Sequence, residues 1–316
     1  MAEIISDFHH VTAICGDPQD NVEFYSGVLG LRFIKKTVNF DDPGTYHLYY
    51  GDAVGTPGSV ITFFAWLDAP HGRSGAGNAN TIAFSVPADA LGFWKDRLIS
   101  IGVDVNGPAA RFDETFISFR DPTGIRLELT GNAGPQDQFT PWETRAVESG
   151  VAIRGINCVM LAARGDDSTE KFLEDSLGFK LKNKEGYRAR YAVTDDMISS
   201  YVDVETPHAI HDGRNGTGVV HHVAFRVEDE HAQSRIRDRL VKTGVDVSAV
   251  IDRTYFKSIY FREPGGTLFE IATSGPGFTV DEAEDSLGEK LCLPERYEFM
   301  REDLEGSLPN IQPPGS

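Results

Sequence analysis

The chain repeats itself, and that restricts its fold more than any other feature of the 316 residues, because a degenerate repeat marks the positions a structural unit needs. Residues 94–105, Trp-Lys-Asp-Arg-Leu-Ile-Ser-Ile-Gly-Val-Asp-Val, match residues 236–247, Ile-Arg-Asp-Arg-Leu-Val-Lys-Thr-Gly-Val-Asp-Val, at an offset of 142. The same offset carries Phe119 onto Phe261, Pro122 onto Pro264, Gly124 onto Gly266 and Glu128 onto Glu270. Upstream, the run from Thr81 to Phe84 meets the run from His222 to Phe225 at offset 141. A second pair of repeats relates Phe24 to Phe172, Leu29 to Leu177 and Gly30 to Gly178 at offset 148, which places Val11 on Val159 and His10 on Cys158.

Four modules follow, near residues 6–67, 78–131, 151–206 and 218–274, with a Gly/Pro/Gln linker over 132–150 and a tail over 275–316. In chain order they divide into an N-terminal pair, 1–131, and a C-terminal pair, 151–274, as expected at roughly 100 to 200 residues per domain. Each module reads strand, helix, then strands. In the first, Phe8 to Ile14 is a β-prone run, Asp20 is placed to cap a helix with Glu23 three residues on, and Gly30 ends it. Short strands at Tyr46–Tyr50 and Val60–Trp66 follow, and the fourth module closes with a hairpin, Tyr255–Arg262 and Thr267–Thr273. One βαβββ unit cannot close its curved sheet, so units pair, and four units give two half-open barrels in an α+β fold. Pro294 to Leu308 reads as a terminal helix with Tyr297, Met300, Leu304 and Leu308 on one side.

Composition then limits the partners. Thirty Lys and Arg against 48 Asp and Glu leave a net charge of −18, which repels phosphate backbones and anionic head groups, so neither nucleic acid nor a membrane surface is an expected partner. The three cysteines, Cys15, Cys158 and Cys292, are widely spaced and form no C-x-x-C pair; they fit a reducing compartment, not a disulfide framework or a zinc finger. No secretion signal or spanning apolar run is legible, so a cytoplasmic protein is expected, and Asn215-Gly216-Thr217 reads as a plain turn. The partners left are small molecules, with a homo-oligomer left open. The Gly72–Asn78 loop lacks the Gly-Lys-[Ser/Thr] of a phosphate-binding loop and reads as a flexible connection.

The chemistry sits in Phe8-His9-His10-Val11-Thr12, in Val220-His221-His222-Val223 and in Leu268-Phe269-Glu270-Ile271. Both histidine pairs fall on the first strand of a module. In a pleated strand one member of each pair faces the barrel interior, and the repeats select His10 and His222, with His9 and His221 assigned to the opposite face. Two imidazoles and one carboxylate form a facial set that suits divalent first-row metals and leaves positions open for substrate and oxygen. A carboxylate in an apolar strand is costly unless paired or metal-bound, which gives Glu270 its weight. The metal would join the first module to the fourth. The second barrel, from modules two and three, would offer only Cys158, Thr81 and Glu128, so one metal per chain is expected. His47, His71, His208, His211 and His231 read as satisfied or surface residues.

Taken together, tandem βαβββ modules with His, His and Glu resemble the vicinal oxygen chelate superfamily, which includes glyoxalase I, extradiol dioxygenases and antibiotic-resistance proteins. The stretch from Arg253 to Glu270, the opening Phe-His-His-Val-Thr, the run from Leu29 to Phe40 and the Ser286-Leu-Gly-Glu-Lys tail motif resemble hydroquinone ring-cleaving dioxygenases across nearly the whole chain. The resemblance implies Fe(II) held by His10, His222 and Glu270, although Mn, Zn or Ni suits similar ligands. It also implies supporting roles for Tyr260, Arg253, Thr12, His9 and His221, and a small aromatic para-diol as substrate together with O2. One substrate hydroxyl would lose its proton and bind the metal, and the ring would open next to the hydroxylated carbon, with Tyr260 donating a hydrogen bond and Arg253 stabilising developing charge. Two rivals share the scaffold: a glyoxalase-like isomerase or thiol transferase, which calls for a His/Glu/His/Glu set, and a metal-free protein that sequesters an aromatic compound.

Overall fold

The structure, a computed structural model, describes residues 5–132, 138–193 and 200–314. Residues 133–137 of the expected linker, 194–199 of the third module and the last two of the tail lie outside the described residues. The first module contains β1 (Asp7–Cys15), α1 (Pro18–Val22, continued by a π-helical turn over Glu23–Val28), β2 (Arg32–Asn39), β3 (Asp42–Gly51) and β4 (Val60–Ala65). The second contains β5 (Asn78–Pro87), α2 (Leu91–Ser100), β6 (Asn106–Arg111), β7 (Glu114–Arg120) and β8 (Arg126–Asn132). The third runs β9 (Gly155–Ala162), α3 (Ser168–Lys171), β10 (Lys180–Glu185), β11 (Arg188–Ala192) and β12 (Tyr201–Glu205). The fourth runs β13 (Val219–Val227), α4 (Glu230–Lys242), β14 (Ile251–Asp252), β15 (Lys257–Arg262) and β16 (Leu268–Thr273). All four are βαβββ, and the fold is α+β with two curled sheets.

Strand order shows how the modules meet. One nine-stranded sheet runs β14-β15-β16-β13-β1-β4-β3-β2-β17, where β17 is Leu291–Cys292 of the tail, and an eight-stranded sheet runs β10-β11-β12-β9-β5-β8-β7-β6. Each sheet takes one module from each half of the chain, cutting across the division at the linker: β1 lies antiparallel to β13, and β5 antiparallel to β9. A continuous apolar core that includes Phe8, Ile82, Phe84, Val159, Phe225 and Phe269 unites the two sheets. Central strands such as β1 and β9 are buried along their whole length, which is why they read as near-continuous apolar runs.

Three local expectations need correction. The first helix is capped by Asp17, not Asp20: its side chain accepts from the amides of Gln19 and Asp20, and Pro18 takes the first helical position, where a missing N–H costs nothing. The tail element opens as a 3-10 helix over Glu295–Met300 and becomes α5 at Arg301–Ser307, with Leu304 and Leu308 buried as expected. The Gly72–Asn78 loop is not a flexible connection, because Arg73 and Ala76 bridge to Arg214 and Asp212, and His71 just before it bridges to Thr217. The chains approach so closely there that a Cβ on Gly75 would stand 2.3 Å from the His211 carbonyl oxygen.

The histidine strands break strict alternation. Phe8 pairs with Phe225 but His10 with Ala224, so His9 is an extra residue in β1. In the same ladder Thr12 pairs with His222 but Ala13 with Val220, making His221 the extra residue of β13. Two β-bulges, related by the local twofold between the strands, therefore re-aim both histidine pairs. His9 and His221 do not lie on the far face of the sheet; each touches its ligand-like neighbour.

Candidate active site

His10, His222 and Glu270 converge. Nε2 of His222 lies 2.9 Å and Nε2 of His10 3.4 Å from Glu270 Oε2, and the two nitrogens are 3.3 Å apart. Donors held about 2.1 Å from one ion and at right angles stand about 3 Å from each other, so the triangle matches one face of an octahedron. The glutamate is fully buried and both imidazoles nearly so. Burial alone would push the Glu270 carboxyl up, but the two imidazoles outweigh it and hold it well below the usual carboxylate range. Oε1 accepts a short hydrogen bond from the Ser258 hydroxyl. Oε2 has no aligned hydrogen-bond donor despite its two close nitrogens. That geometry is what lone pairs aimed at a shared cation give, and the residues present fit a divalent metal.

The bulged histidines fix those lone pairs. Nδ1 of His9 is 2.9 Å from Nδ1 of His10, and Nδ1 of His221 is 2.8 Å from Nδ1 of His222. Burial, then the neighbouring imidazole, lowers the pKa of both His9 and His221 to about 3, so each is neutral and can accept an Nδ1–H from its neighbour. With the proton donated in that direction, His10 and His222 would present bare Nε2 atoms to Glu270, the arrangement that orients metal-ligating imidazoles.

Around this point lies a cavity of about 360 Å³. Its walls include Phe64, Trp66, Phe256, Phe40, Tyr49 and Tyr260, together with Arg253 and His221. Tyr260 lies across the ladder from Glu270. Its hydroxyl accepts from Arg253 Nε at 3.2 Å, and burial, then the charge on Glu270, pushes its pKa up, keeping it a donor. Arg253 is not a solvated hairpin charge: its side chain is 16% exposed, its guanidinium stacks over the Tyr260 ring, and it pairs with Asp41 at 3.1 Å.

Sequence reasoning missed His47, Tyr49 and Thr62. Glu270 neighbours Ala224 on β13, whereas Thr62 neighbours Thr12 on β1. Because His10 faces Ala224 and Thr12 faces His222, Thr62 stands at the twofold mate of Glu270. The fourth position of a His/Glu/His/Glu set is thus a hydroxyl. Thr12 Oγ1 lies 2.8 Å from Thr62 Oγ1, His47 Nε2 another 2.8 Å from the same oxygen, and the Tyr49 hydroxyl 3.0 Å from His47 Nδ1. His47 and Tyr49 are two apart on one strand, the spacing that puts side chains on one face; that spacing was the available signal. A second acidic cluster, Asp281, Glu282 and Cys292, already surrounds a cation, the buried Lys35 ammonium, 2.6 Å from Asp281.

A family model described as the Glyoxalase/Bleomycin resistance protein/Dioxygenase superfamily matches residues 7–129 and 155–271. The Bacillus subtilis strain 168 protein named "Putative ring-cleaving dioxygenase MhqO" is 43% identical over 309 residues, covering 98% of this chain and 97% of the relative. The chlorohydroquinone/hydroquinone 1,2-dioxygenase of Sphingobium indicum is 31% identical over 313 residues, 96% of each chain. A crystal structure of a "putative dioxygenase" from Bacillus subtilis subsp. subtilis str. 168 superposes with a TM-score of 0.93 at 41% identity, covering 98% of this chain and 99% of that one. Among the described residues no helix is long and apolar enough to cross a membrane. The chain belongs to the glyoxalase/bleomycin resistance protein/dioxygenase superfamily and is a dioxygenase within it.

Proposed function

We propose that the protein opens the aromatic ring of a hydroquinone-type para-diol with O2, using Fe(II) held by His10, His222 and Glu270. The observation that carries this reading is a three-donor face, with Thr62 where a fourth carboxylate would otherwise stand, opening into an aromatic-walled cavity. When bound, the metal would supply a Lewis acid for one substrate oxygen and a route for electrons from ring to oxygen.

The chain's own residues do the rest. His9 and His221 hold the ligand imidazoles in one tautomer. Phe64, Trp66 and Phe256 clamp a flat ring and exclude water, which strengthens every polar contact inside the cavity. Arg253 occupies the oxygen lone pair of Tyr260, leaving the phenolic proton to be donated to a substrate oxygen as negative charge gathers there. The cavity sits near the lower end of the range for small-ligand sites, roughly 300 to 1,000 Å³, which suits a single ring. The free, buried cysteines support a cytoplasmic setting.

An oxygen electrode decides the matter. Protein loaded with Fe(II) without air should consume oxygen and methylhydroquinone in equal amounts. Metal-dependent turnover of a glutathione hemithioacetal without oxygen uptake would overturn the reading in favour of an isomerase.

A further inference from the structure

We infer that Asp41, at the tip of the β2–β3 hairpin, makes the cavity select neutral rings and exclude rings carrying a carboxylate. The inference rests on the ring-cleavage reading and deepens it by naming the substituent the site refuses.

The cavity wall includes one guanidinium, Arg253, and two surface carboxylates, Asp41 and Asp42, both from the same hairpin tip. Asp41 reaches Arg253 at 3.1 Å, while its own side chain remains 71% exposed. The carboxylate thus stands at the solvent end of the guanidinium, and Tyr260 holds the inner end through Nε at 3.2 Å. Asp42 is fixed beside it by the Thr45 hydroxyl at 2.9 Å.

An entering para-diol without ionised substituents meets none of this as a penalty. A ring carboxylate, by contrast, needs a cation besides the metal that the ring-cleavage reading assigns to the diol oxygen. The one guanidinium in the wall is already paired, and reaching it would mean displacing one carboxylate while passing a second. A ring carboxylate would compete with Asp41 for the one guanidinium, and that competition decides between substrates. Removing the charge of Asp41 while keeping its shape should free Arg253 to receive the anion.

The test compares methylhydroquinone with 2,5-dihydroxybenzoate, the same para-diol bearing a ring carboxylate, in Fe(II)-loaded wild type, Asp41→Asn, Asp41→Glu and Asp238→Asn. Asp238 is an exposed acid on α4 and controls for net charge. Both kcat/KM and anaerobic binding affinity are measured for each pair. In Asp41→Asn the preference should move at least about tenfold toward the carboxylated ring. Asp41→Glu should keep the wild-type preference, and Asp238→Asn should not move it. A preference in Asp41→Asn within about twofold of wild type, or an equal movement in Asp238→Asn, overturns the inference. The two failures are separable: wild type that binds methylhydroquinone without consuming oxygen defeats the ring-cleavage reading, while the ratio of binding affinities still passes judgement on Asp41.

Discussion

The two half-barrels share one strand plan and hold opposite solutions to the same electrostatic problem. In each, a glutamate from the last strand of a module is buried in the curved sheet: Glu270 in one, Glu128 in the other, both fully inaccessible. Glu128 Oε2 stands 2.8 Å from a guanidinium nitrogen of Arg111, and Oε1 accepts from Arg126 at 3.3 Å. Glu270 Oε2 faces the imidazoles of His10 and His222. Asp203, at the register position that matches Thr62, is held by Arg190 at 2.8 Å. The second barrel fills its centre with arginine, and the first leaves a place for an ion. A carboxylate at this point of the fold needs a cation; which cation is a choice made by a few neighbours.

Arg111 and Arg253 show how that choice is made, because they are equivalent at the repeat offset of 142. Opposite Glu128 the ladder places Ser118; opposite Glu270 it places Tyr260. The long phenol reaches Arg253 and, with Asp41, keeps that guanidinium away from Glu270. Ser118 is too short for that, and Arg111 falls onto the glutamate. Together with Cys158 and Thr81 standing where the first barrel has His10 and His222, the exchange of Tyr260 for Ser118 separates the barrel whose residues fit a metal from the ion-paired one.

The sharpest way to break this comparison is to make the same change in both barrels. Glu270→Gln should release the metal and lower oxygen uptake on the order of a thousandfold, with metal content per chain falling in parallel. Glu128→Gln should leave metal content and the substrate preference as they are. It takes from the buried Arg111 the nearer of its two carboxylates, leaving Asp203 at 3.7 Å, and should cost up to about 3 kcal/mol of stability by denaturant unfolding. If Glu128→Gln lost metal, or Glu270→Gln kept it, the division of labour between the barrels would be wrong.

Thr62→Glu sharpens the same contrast with a smaller effect. It rebuilds the fourth carboxylate that the twofold position allows. Metal should be retained or held more tightly, while oxygen uptake falls about a hundredfold because a position needed by substrate or oxygen is taken. Retained metal distinguishes this loss from simple misfolding. Full oxygen uptake in Thr62→Glu would mean that Thr62 does not face the open side of the triad.

Much of this was legible before the structure. The repeat pointed to the βαβββ units, and the His-His pairs with Glu270 marked the three side chains that the sheet brings together. What could not be read was register. The bulges at His9 and His221 add one residue each to otherwise alternating strands, and nothing in Phe-His-His-Val-Thr announces them. Without them, alternation sends His9 and His221 to the far face. The arginine cluster of the second barrel was hidden for a related reason: Arg111, Arg188 and Arg190 lie on two strands from different modules, and single charges are mostly exposed. Only the pairing of β5 with β9 gathers them. His47 looked like an ordinary lone histidine until Thr62 and Tyr49 were placed beside it.

A last difference between the barrels sits at the start of their central strands. Asp7 pairs across the ladder with Arg226 in the metal-type barrel, where the other barrel pairs Gly155 with Ser85. Asp7 is 3% exposed, and burial raises its pKa from 3.8 to about 7, against the lowering effects of the Phe8 amide and Arg226. The folded state therefore holds a proton that the unfolded state releases, and stability falls as pH climbs from about 4 to about 7. Three pKa units set an upper bound of about 4 kcal/mol, but Asn would give up the charge-assisted contact with the Phe8 amide and the attraction of Arg226. A net gain of about 1 kcal/mol, or about 2 °C in melting temperature, is expected for Asp7→Asn at pH 8. At pH 4, where wild-type Asp7 is already neutral in the fold, the gain should vanish. An equal gain at both pH values would place the benefit in packing rather than in the proton, and would remove charge from the account of how the two central strands differ.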